Sequence, residues 1–129
     1  MAIASFSAGE FITSGQAVYV NNTGKLFLAS SADKTTSSVV GVAIDTGAVN
    51  TLIRVNLDSI YYGYTDLIPG DKQYLSITNS GQIVSYSGWR QELTTYADNA
   101  YLQYIGRAIS TSGIEIELTP PLFISYPLS

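Results

Sequence analysis

The chain has 129 residues, of which 46% are hydrophobic and 12% are charged, and its formal net charge is −4. This length suffices for one domain with a hydrophobic core and is too short for two independent domains. A mildly acidic chain with few cations is unsuited to holding a polyanion through many phosphate contacts, so no nucleic acid partner is expected. The lack of Cys and His removes thiolate metal sites and the commonest general base.

The apolar runs of the sequence are short. None approaches the roughly 18 to 20 residues that span a bilayer. Residues 1–11, MAIASFSAGEF, lack the basic and apolar regions of a signal peptide. We therefore expect a soluble protein with no membrane partner and no export signal.

Runs rich in Val, Ile, Tyr, Phe and Thr recur between clusters of Gly, Asn, Asp and Ser, and helical periodicity is scarce. This pattern predicts an all-β protein with little helix. In chain order, the predicted strands cover residues 16–21, 25–30, 39–45, 51–60, 73–77, 82–86, 103–110 and 113–118. Residues 22–24 and 78–81 each end in Gly between two strands, which predicts tight hairpins at both places.

The strand predicted over 113–118, GIEIEL, alternates apolar and charged residues. Ile114 and Ile116 alternate with Glu115 and Glu117, a pattern typical of a strand with one buried face and one solvated face. The Pro pair at 120–121 ends this strand, because Pro cannot donate a hydrogen bond to a neighbouring strand.

A phrase in the first half of the chain returns in the second half. Residues 14–30, SGQAVYVNNTGKLFLAS, are echoed by residues 69–85, PGDKQYLSITNSGQIVS, and each phrase is followed by a G-x-A-I strand, at 39–44 and 104–109. We interpret this as two similar three-stranded units that pack face to face, as a compact β-barrel or β-sandwich with a shared core. The alternative is a coincidence, because hairpins with Gly are common in β proteins.

Three segments lie outside the repeat within the single predicted domain, 1–129. Residues 1–9 are predicted to form an N-terminal arm. Residues 87–102 are an insertion, expected on the surface as a loop or a short helical turn. The C-terminal tail, 120–129, is too apolar to remain in water, so it either folds back on its own domain or docks on a neighbour.

The sequence offers few groups suited to catalysis. Glu115 and Glu117 could act as a general acid and base, but two carboxylates on one strand face are more simply a solvated surface. Asp66 and Asp71 flank a Pro-Gly turn, which they are expected to stabilise rather than bind calcium. No Asp-rich calcium loop or Gly-rich phosphate loop is present, and Ser without a base is a weak nucleophile. We expect no enzyme activity, no catalytic residue, no metal and no cofactor.

Aromatic residues gather at 61–64 and across 89–104. Tyr and Trp combine a large apolar area with a polar group, so they serve as cover for a small core, as a protein interface or as a carbohydrate-binding surface. All three interpretations remain open from the sequence.

The repeated motifs resemble those of a known class of proteins. The residues that carry the resemblance are SGQAVYV (14–20), GKLFLA (24–29), VVGVA (39–43), LIPGDKQYL (67–75) and IGRA (105–108). Together they resemble small all-β structural proteins of tailed bacteriophages, in particular capsid cement or head-decoration proteins. The resemblance extends over most of the chain, from about residue 9 to residue 118.

This resemblance implies a virion protein that is made in the host cytoplasm and binds the outer surface of the capsid. It implies an oligomer, with a trimer favoured, that clamps the joints between subunits of the major capsid protein after the shell expands. Similar modules also occur in phage tails and fibres, so the alternative is a module that binds a host-surface glycan or another virion protein. The predicted interface residues are Ile3, Phe6, Tyr61, Tyr62, Tyr64, Trp89, Tyr96, Leu122, Phe123 and Tyr126.

Overall fold

Antiparallel strands dominate the chain in a computed structural model that describes residues 3–33, 35–96 and 99–125. The elements are β1 (Ile3–Ser7), β2 (Ala17–Val20), β3 (Leu26–Leu28), β4 (Gly41–Ala43), β5 (Leu52–Asn56), β6 (Ile60–Tyr62), β7 (Lys72–Leu75), β8 (Ile83–Ser85), α1 (Tyr86–Tyr96), β9 (Asn99–Leu102), β10 (Tyr104–Ala108), β11 (Gly113–Ile116) and β12 (Leu122–Ser125). Strands make up 42% of the protein and helix 8%. The predicted all-β class is confirmed, and no sheet in the described ranges is closed into a barrel.

Two five-stranded sheets form the body of the protein. The first sheet has the order β1-β5-β4-β2-β3, and the second sheet has the order β6-β11-β10-β7-β8. Each strand of the second sheet therefore takes the position of one strand in the first. The registers also match: the row Ile3, Asn56, Val42, Ala17 in the first sheet corresponds to the row Ile60, Glu115, Arg107, Lys72 in the second. The repeat thus covers five strands in each half rather than the predicted three.

The glycines of the repeated motifs have the same role in both sheets. Gly24 and Gly81 end the two hairpins with the same φ of 81°, a left-handed conformation that favours Gly. In the G-x-A-I strands, a Cβ on Gly41 would overlap the backbone oxygen of Asn56, and a Cβ on Gly106 would overlap that of Glu115. The two halves of the chain therefore share local backbone constraints as well as strand order.

The junction between the two sheets falls inside the strand predicted over 51–60. Asn56 ends β5, and its buried side chain accepts a hydrogen bond from the Ser59 N–H (2.9 Å) and donates one to the Ile60 carbonyl (3.1 Å). These bonds stabilise a turn in the way that Asn side chains commonly do. The single predicted strand was wrong here, because β5 belongs to the first sheet and β6 to the second.

The two sheets do not pack through equivalent faces. Ala17 and Val42 of the first sheet pack in a shared core with Leu75, Ile105 and other residues of the second sheet. The opposite face of the first sheet covers a separate core, which includes Val18, Ala43 and Val55 and also contains Ala8 and Ile12. One face of the second sheet thus packs on the outer face of the first, so the two sheets share a core through faces that are not equivalent.

The insertion and the tail pack against each other. The insertion forms the 11-residue helix α1 and strand β9, and β9 pairs with β12 of the tail. Trp89 and Leu93, one helical turn apart, bury their side chains against the second sheet together with Ala100 and Ile124. The insertion therefore contains a longer helix than the predicted loop or short helical turn, together with a strand, and the described part of the tail folds back on its own domain.

The segment predicted as an N-terminal arm, 1–9, is also part of the body where it is described. Residues 3–7 form β1, which pairs with β5 along its whole length. Ala8 then bridges to Leu26 of β3, at the opposite edge of the first sheet. The first sheet must therefore curve strongly, because consecutive residues of the chain touch both of its edges.

Candidate functional site

The predicted interface residues differ in how far their side chains are exposed to solvent. Ile3, Tyr62, Leu122 and Phe123 are between 46% and 60% exposed, whereas Phe6 and Tyr64 are half-buried. Tyr61 and Trp89 are buried. Tyr96 is the last residue of α1, and its side chain lies outside the described part of the chain, as does all of Tyr126. Of the eight predicted residues whose side chains are described, four are thus exposed to a partner.

Tyr61 and Tyr64 join the two sheets instead of facing solvent. The Tyr61 hydroxyl lies 2.5 Å from the Ser14 hydroxyl, and the Tyr64 hydroxyl donates a hydrogen bond to the Gly15 carbonyl at 2.7 Å. The two rings meet edge to face with centroids 5.3 Å apart. Burial raises the pKa of the Tyr64 hydroxyl well above its usual value, with a smaller contribution from Tyr61. The prediction that these rings form an exposed interface does not fit this arrangement.

Trp89 is likewise a core residue. Its side chain is 1% exposed and lies between α1 and the second sheet, and its indole N–H donates to the Tyr101 carbonyl at 3.2 Å. A partner or sugar therefore cannot reach Trp89 in this conformation. The sequence placed Trp89 on the surface because the insertion was expected as a surface loop or a short helical turn, whereas an 11-residue helix buries this side chain against the second sheet.

The accessible apolar residues lie at strand edges. Tyr62 lies on edge strand β6, and its ring occupies the space that a Cβ at position 113 would need, which Gly113 leaves free. Phe123, on β12, meets Tyr101 edge to face at 5.3 Å. Leu122 precedes Phe123 on the same strand, and Ile3 lies on edge strand β1. These positions leave apolar side chains where a further protein surface can pack.

A row of tyrosines crosses the outer face of the second sheet. Tyr74 of β7 lies between Tyr104 of β10 and Tyr86 of α1, with ring centroids 5.5 Å and 5.7 Å away. We call these three residues the tyrosine strip. Tyr86 is 46% exposed and the other two are half-buried.

An open groove of about 410 Å³ lies beside the tyrosine strip. Its lining residues are Asp71, Lys72, Tyr74, Ser85, Tyr86 and Ser87. The Lys72 ammonium lies 5.9 Å from the centroid of the Tyr104 ring, within range of a cation–π contact. The groove therefore combines ring surface with a cation, a carboxylate and two hydroxyls.

The far end of the tyrosine strip carries a second carboxylate. The Tyr104 hydroxyl donates a hydrogen bond to Glu117 at 3.1 Å. Burial, then this hydrogen bond, raise the pKa of Tyr104 to about 12. The Tyr104 hydroxyl thus stays protonated and keeps donating to Glu117 at neutral pH.

The carboxylates considered for catalysis occupy separate surroundings. Glu115 lies opposite Arg107 in the sheet register, Glu117 accepts the Tyr104 hydroxyl, and Asp66 has a left-handed φ of 61° in a turn. Within residues 3–33, 35–96 and 99–125, no three acidic, His or Cys side chains cluster as metal ligands.

Sequence reasoning missed the tyrosine strip as a unit. The alternating pattern of β7 carried a signal for it. Lys72 and Tyr74 share one face of this strand, and Gln73 and Leu75 share the other. This signal could not be interpreted without knowing which face is buried. Tyr86 carried no such signal, because its position depends on α1.

Comparison of the chain with protein-family models and with curated proteins finds no match. No helix within the described ranges is both long and apolar enough to cross a membrane. A function must therefore be argued from the residues and surfaces described above.

Proposed function

We propose that this protein is a non-enzymatic structural protein of a tailed-phage virion, which cements neighbouring major capsid protein subunits on the outer surface of the head. The motif resemblance at 14–30, 39–43, 67–75 and 105–108 supports the assignment to a capsid. The structural observation that carries the proposal is the pair of matching five-stranded sheets. The two sheets pack into one body through a shared core.

Rigidity is the property that a cement protein needs. The tip of the β7–β8 hairpin, Gly81, accepts a hydrogen bond from the Ala17 N–H (2.8 Å) and donates one to the Ala29 carbonyl (2.7 Å). The Ser31 hydroxyl adds a bond to the Leu75 carbonyl (2.7 Å). Close-packed sheets joined in this way transmit force between the subunits that they bridge.

Adhesion to an assembled lattice stabilises that lattice by mass action. A protein that binds only the assembled shell contributes RT ln(1 + [L]/Kd) at each site. Many copies thus raise the stability of the head without any chemical step. A trimer multiplies this effect, because three linked binding sites act at one joint.

The exposed apolar residues on strand edges form the proposed contact surface. Ile3, Tyr62, Leu122 and Phe123 remain accessible after the domain has folded. Because these side chains are already outside the core, their replacement should weaken binding without unfolding the protein.

Co-sedimentation with expanded and unexpanded phage heads tests the proposal. We expect saturable binding to expanded heads, and a double change of Leu122→Ser and Phe123→Ser should raise Kd at least about tenfold, a loss of about 1.4 kcal/mol. The matched control is Leu52→Ser, which changes a side chain that is 64% exposed on the first sheet and lies outside the proposed surface. Absence of saturable binding to expanded heads would contradict the proposal.

Location on the virion separates this function from the runner-up. Cryo-electron microscopy of particles that carry a labelled protein should place the label on the head, at the joints between capsid subunits. A label on the tail or its fibres would favour the alternative of a fibre module. Light scattering of the purified protein should give the mass of three chains.

A further inference from the structure

The outer face of the second sheet differs in chemistry from its equivalent in the first sheet. Lys72 and Arg107 occupy the positions that Ala17 and Val42 occupy in the first sheet. Ala17 and Val42 are buried against the second sheet, whereas Lys72 and Arg107 are exposed. Burying these two cations without partners would cost several kcal/mol each. The outer face of the second sheet is therefore unsuited to a repeat of the apolar sheet packing.

Helix α1 covers part of this face, where Tyr74 packs against the cluster that contains Trp89, and the uncovered part retains aromatic ring surface. Tyr74 occupies the position of Tyr19, which packs against the shared core. Tyr86 adds a further exposed ring from α1. Ring surface on a hydrated face suits a ligand that offers both apolar C–H faces and hydroxyl groups, because such a ligand stacks on the rings and remains partly in water.

We propose that the tyrosine strip and the adjoining groove bind a neutral saccharide chain. The groove volume of about 410 Å³ lies within the range of roughly 300 to 1,000 Å³ that is typical of small-ligand sites. The strip continues past the groove to Tyr104, so a chain of sugars can contact three successive rings, whose planes are tilted by 59° and 56° to one another.

The polar groups of the groove can both accept hydrogen bonds from sugar hydroxyls and donate hydrogen bonds to them. The Asp71 carboxylate has no partner among the described residues and accepts hydrogen bonds, whereas Lys72 donates them. The hydroxyl oxygens of Ser85 and Ser87 lie 3.2 Å apart, and each hydroxyl can both donate and accept a hydrogen bond. Because one carboxylate and one ammonium line the groove, its lining carries no net charge, which suits a neutral saccharide. The Arg90 guanidinium lies 6.0 Å from the centroid of the Tyr86 ring and can also donate hydrogen bonds to sugar hydroxyls.

The saccharide site uses different residues from the proposed capsid contact surface. It is independent of whether the protein lies on the head or on the tail. The buried Trp89 stacks beside Tyr86 at 6.4 Å, so the fluorescence of the single Trp provides a signal close to the site.

Isothermal titration calorimetry with maltohexaose, cellohexaose and chitohexaose tests the proposal on the whole chain. At least one hexasaccharide should bind with a millimolar or lower Kd and change the Trp89 fluorescence. Tyr86→Ala should weaken that binding at least about tenfold. Asp71→Asn should weaken it several-fold and leaves the rings in place, so it reports on the site even if Tyr86→Ala disturbs α1.

Phe11→Ala is the matched control, because Phe11 is an aromatic side chain that is 58% exposed in the segment between β1 and β2. Its Kd for the same hexasaccharide should equal that of the unchanged protein. No heat from any of the three probes at about 10 mM, or equal affinities for Tyr86→Ala and Phe11→Ala, would overturn the saccharide proposal. Weaker binding of Tyr86→Ala to phage heads with no saccharide binding would reassign the face to a protein contact.

Discussion

Gly81 shows how one residue without a side chain connects the two sheets. Both Gly81 and Gly24 have φ of 81°, but the space around them differs. A Cβ on Gly81 would lie 3.0 Å from the Leu28 side chain and 3.1 Å from that of Gln16, whereas a Cβ on Gly24 would meet nothing within 4 Å. A comparison of substitutions at Gly24 and Gly81 therefore separates the free-energy cost of a left-handed backbone from the free-energy cost of crowding between the sheets.

We predict that Gly81→Ala destabilises the protein more than Gly24→Ala does. Both changes cost about 1–2 kcal/mol for the left-handed conformation. Gly81→Ala costs at least about 1 kcal/mol more, because the added methyl overpacks the contact between the sheets. Urea unfolding of both variants measures this difference, and equal midpoints would show that the hairpin tip is not crowded.

The titration of Tyr64 makes the stability of the folded protein depend on pH in the alkaline range. Burial raises the pKa of the Tyr64 hydroxyl above the usual value of about 10, so above pH 10 the folded state holds a proton that the unfolded state loses. Stability should therefore fall as pH rises above about 10. Tyr104, with its pKa of about 12, acts in the same direction.

Tyr64→Phe should reduce the steepness of this alkaline loss without abolishing it. At pH 7 the variant should be less stable by about 1 kcal/mol, because the Gly15 carbonyl loses its hydrogen bond from the Tyr64 hydroxyl. Urea unfolding at pH 8, 10 and 11 measures both effects. Parallel stability profiles of the two proteins would rule out a titrating Tyr64.

At the scale of elements, one carboxylate supplements the apolar packing that holds α1 on the second sheet. Glu92 accepts hydrogen bonds from the Ile77 N–H (2.7 Å), the Ser76 hydroxyl (2.8 Å) and the Thr78 hydroxyl (3.1 Å). These three donors lie in the turn after β7, so Glu92 connects the helix to the second sheet. Helices of this length are marginal by themselves, and α1 depends on such tertiary contacts.

We predict that Glu92→Ala loosens α1 before the rest of the protein unfolds. The expected cost is about 2 kcal/mol, because the Ile77 N–H and two hydroxyls lose a charged partner. Trp89 fluorescence should shift to longer wavelength at a lower urea concentration than the loss of β-sheet circular dichroism. Gln91→Ala, an exposed change on the same helix, is the control and should keep the two transitions together.

The elements differ in how far sequence patterns could predict them. The hairpins around Gly24 and Gly81 and the alternating strand β11 were predicted, because turn residues and a period of two are local signals. The helix α1 and the pairing of β9 with β12 were not, because they depend on contacts between segments that are far apart in sequence. The same limit applied to the tyrosine strip, whose rings come from three separate elements.

At the scale of the whole molecule, the shared core couples the two sheets. Leu75 is fully buried in that core, together with Ala17 and Val42 from the first sheet. A cavity at Leu75 therefore removes contacts from both sheets. It should affect the stability of the whole protein rather than that of one half.

We predict that Leu75→Ala lowers the free energy of unfolding by about 2–5 kcal/mol. Because both sheets lose packing, the transitions followed by Trp89 fluorescence and by circular dichroism should shift together. Leu122→Ala, at a 59% exposed position, should change stability by less than about 0.5 kcal/mol. Separate transitions in Leu75→Ala would indicate that the two sheets fold independently.

The sequence alone determined the strand-rich class, the two hairpins and the existence of an internal repeat, because these depend on residue type and spacing within a few positions. Only the tertiary structure decided which face of each sheet is buried. The equivalent strands β2 and β7 both alternate two faces, yet Ala17 and Val42 lie in the shared core whereas Lys72 and Arg107 face water. A period of two identifies two faces of a strand, and only packing against the rest of the chain determines which of them remains exposed.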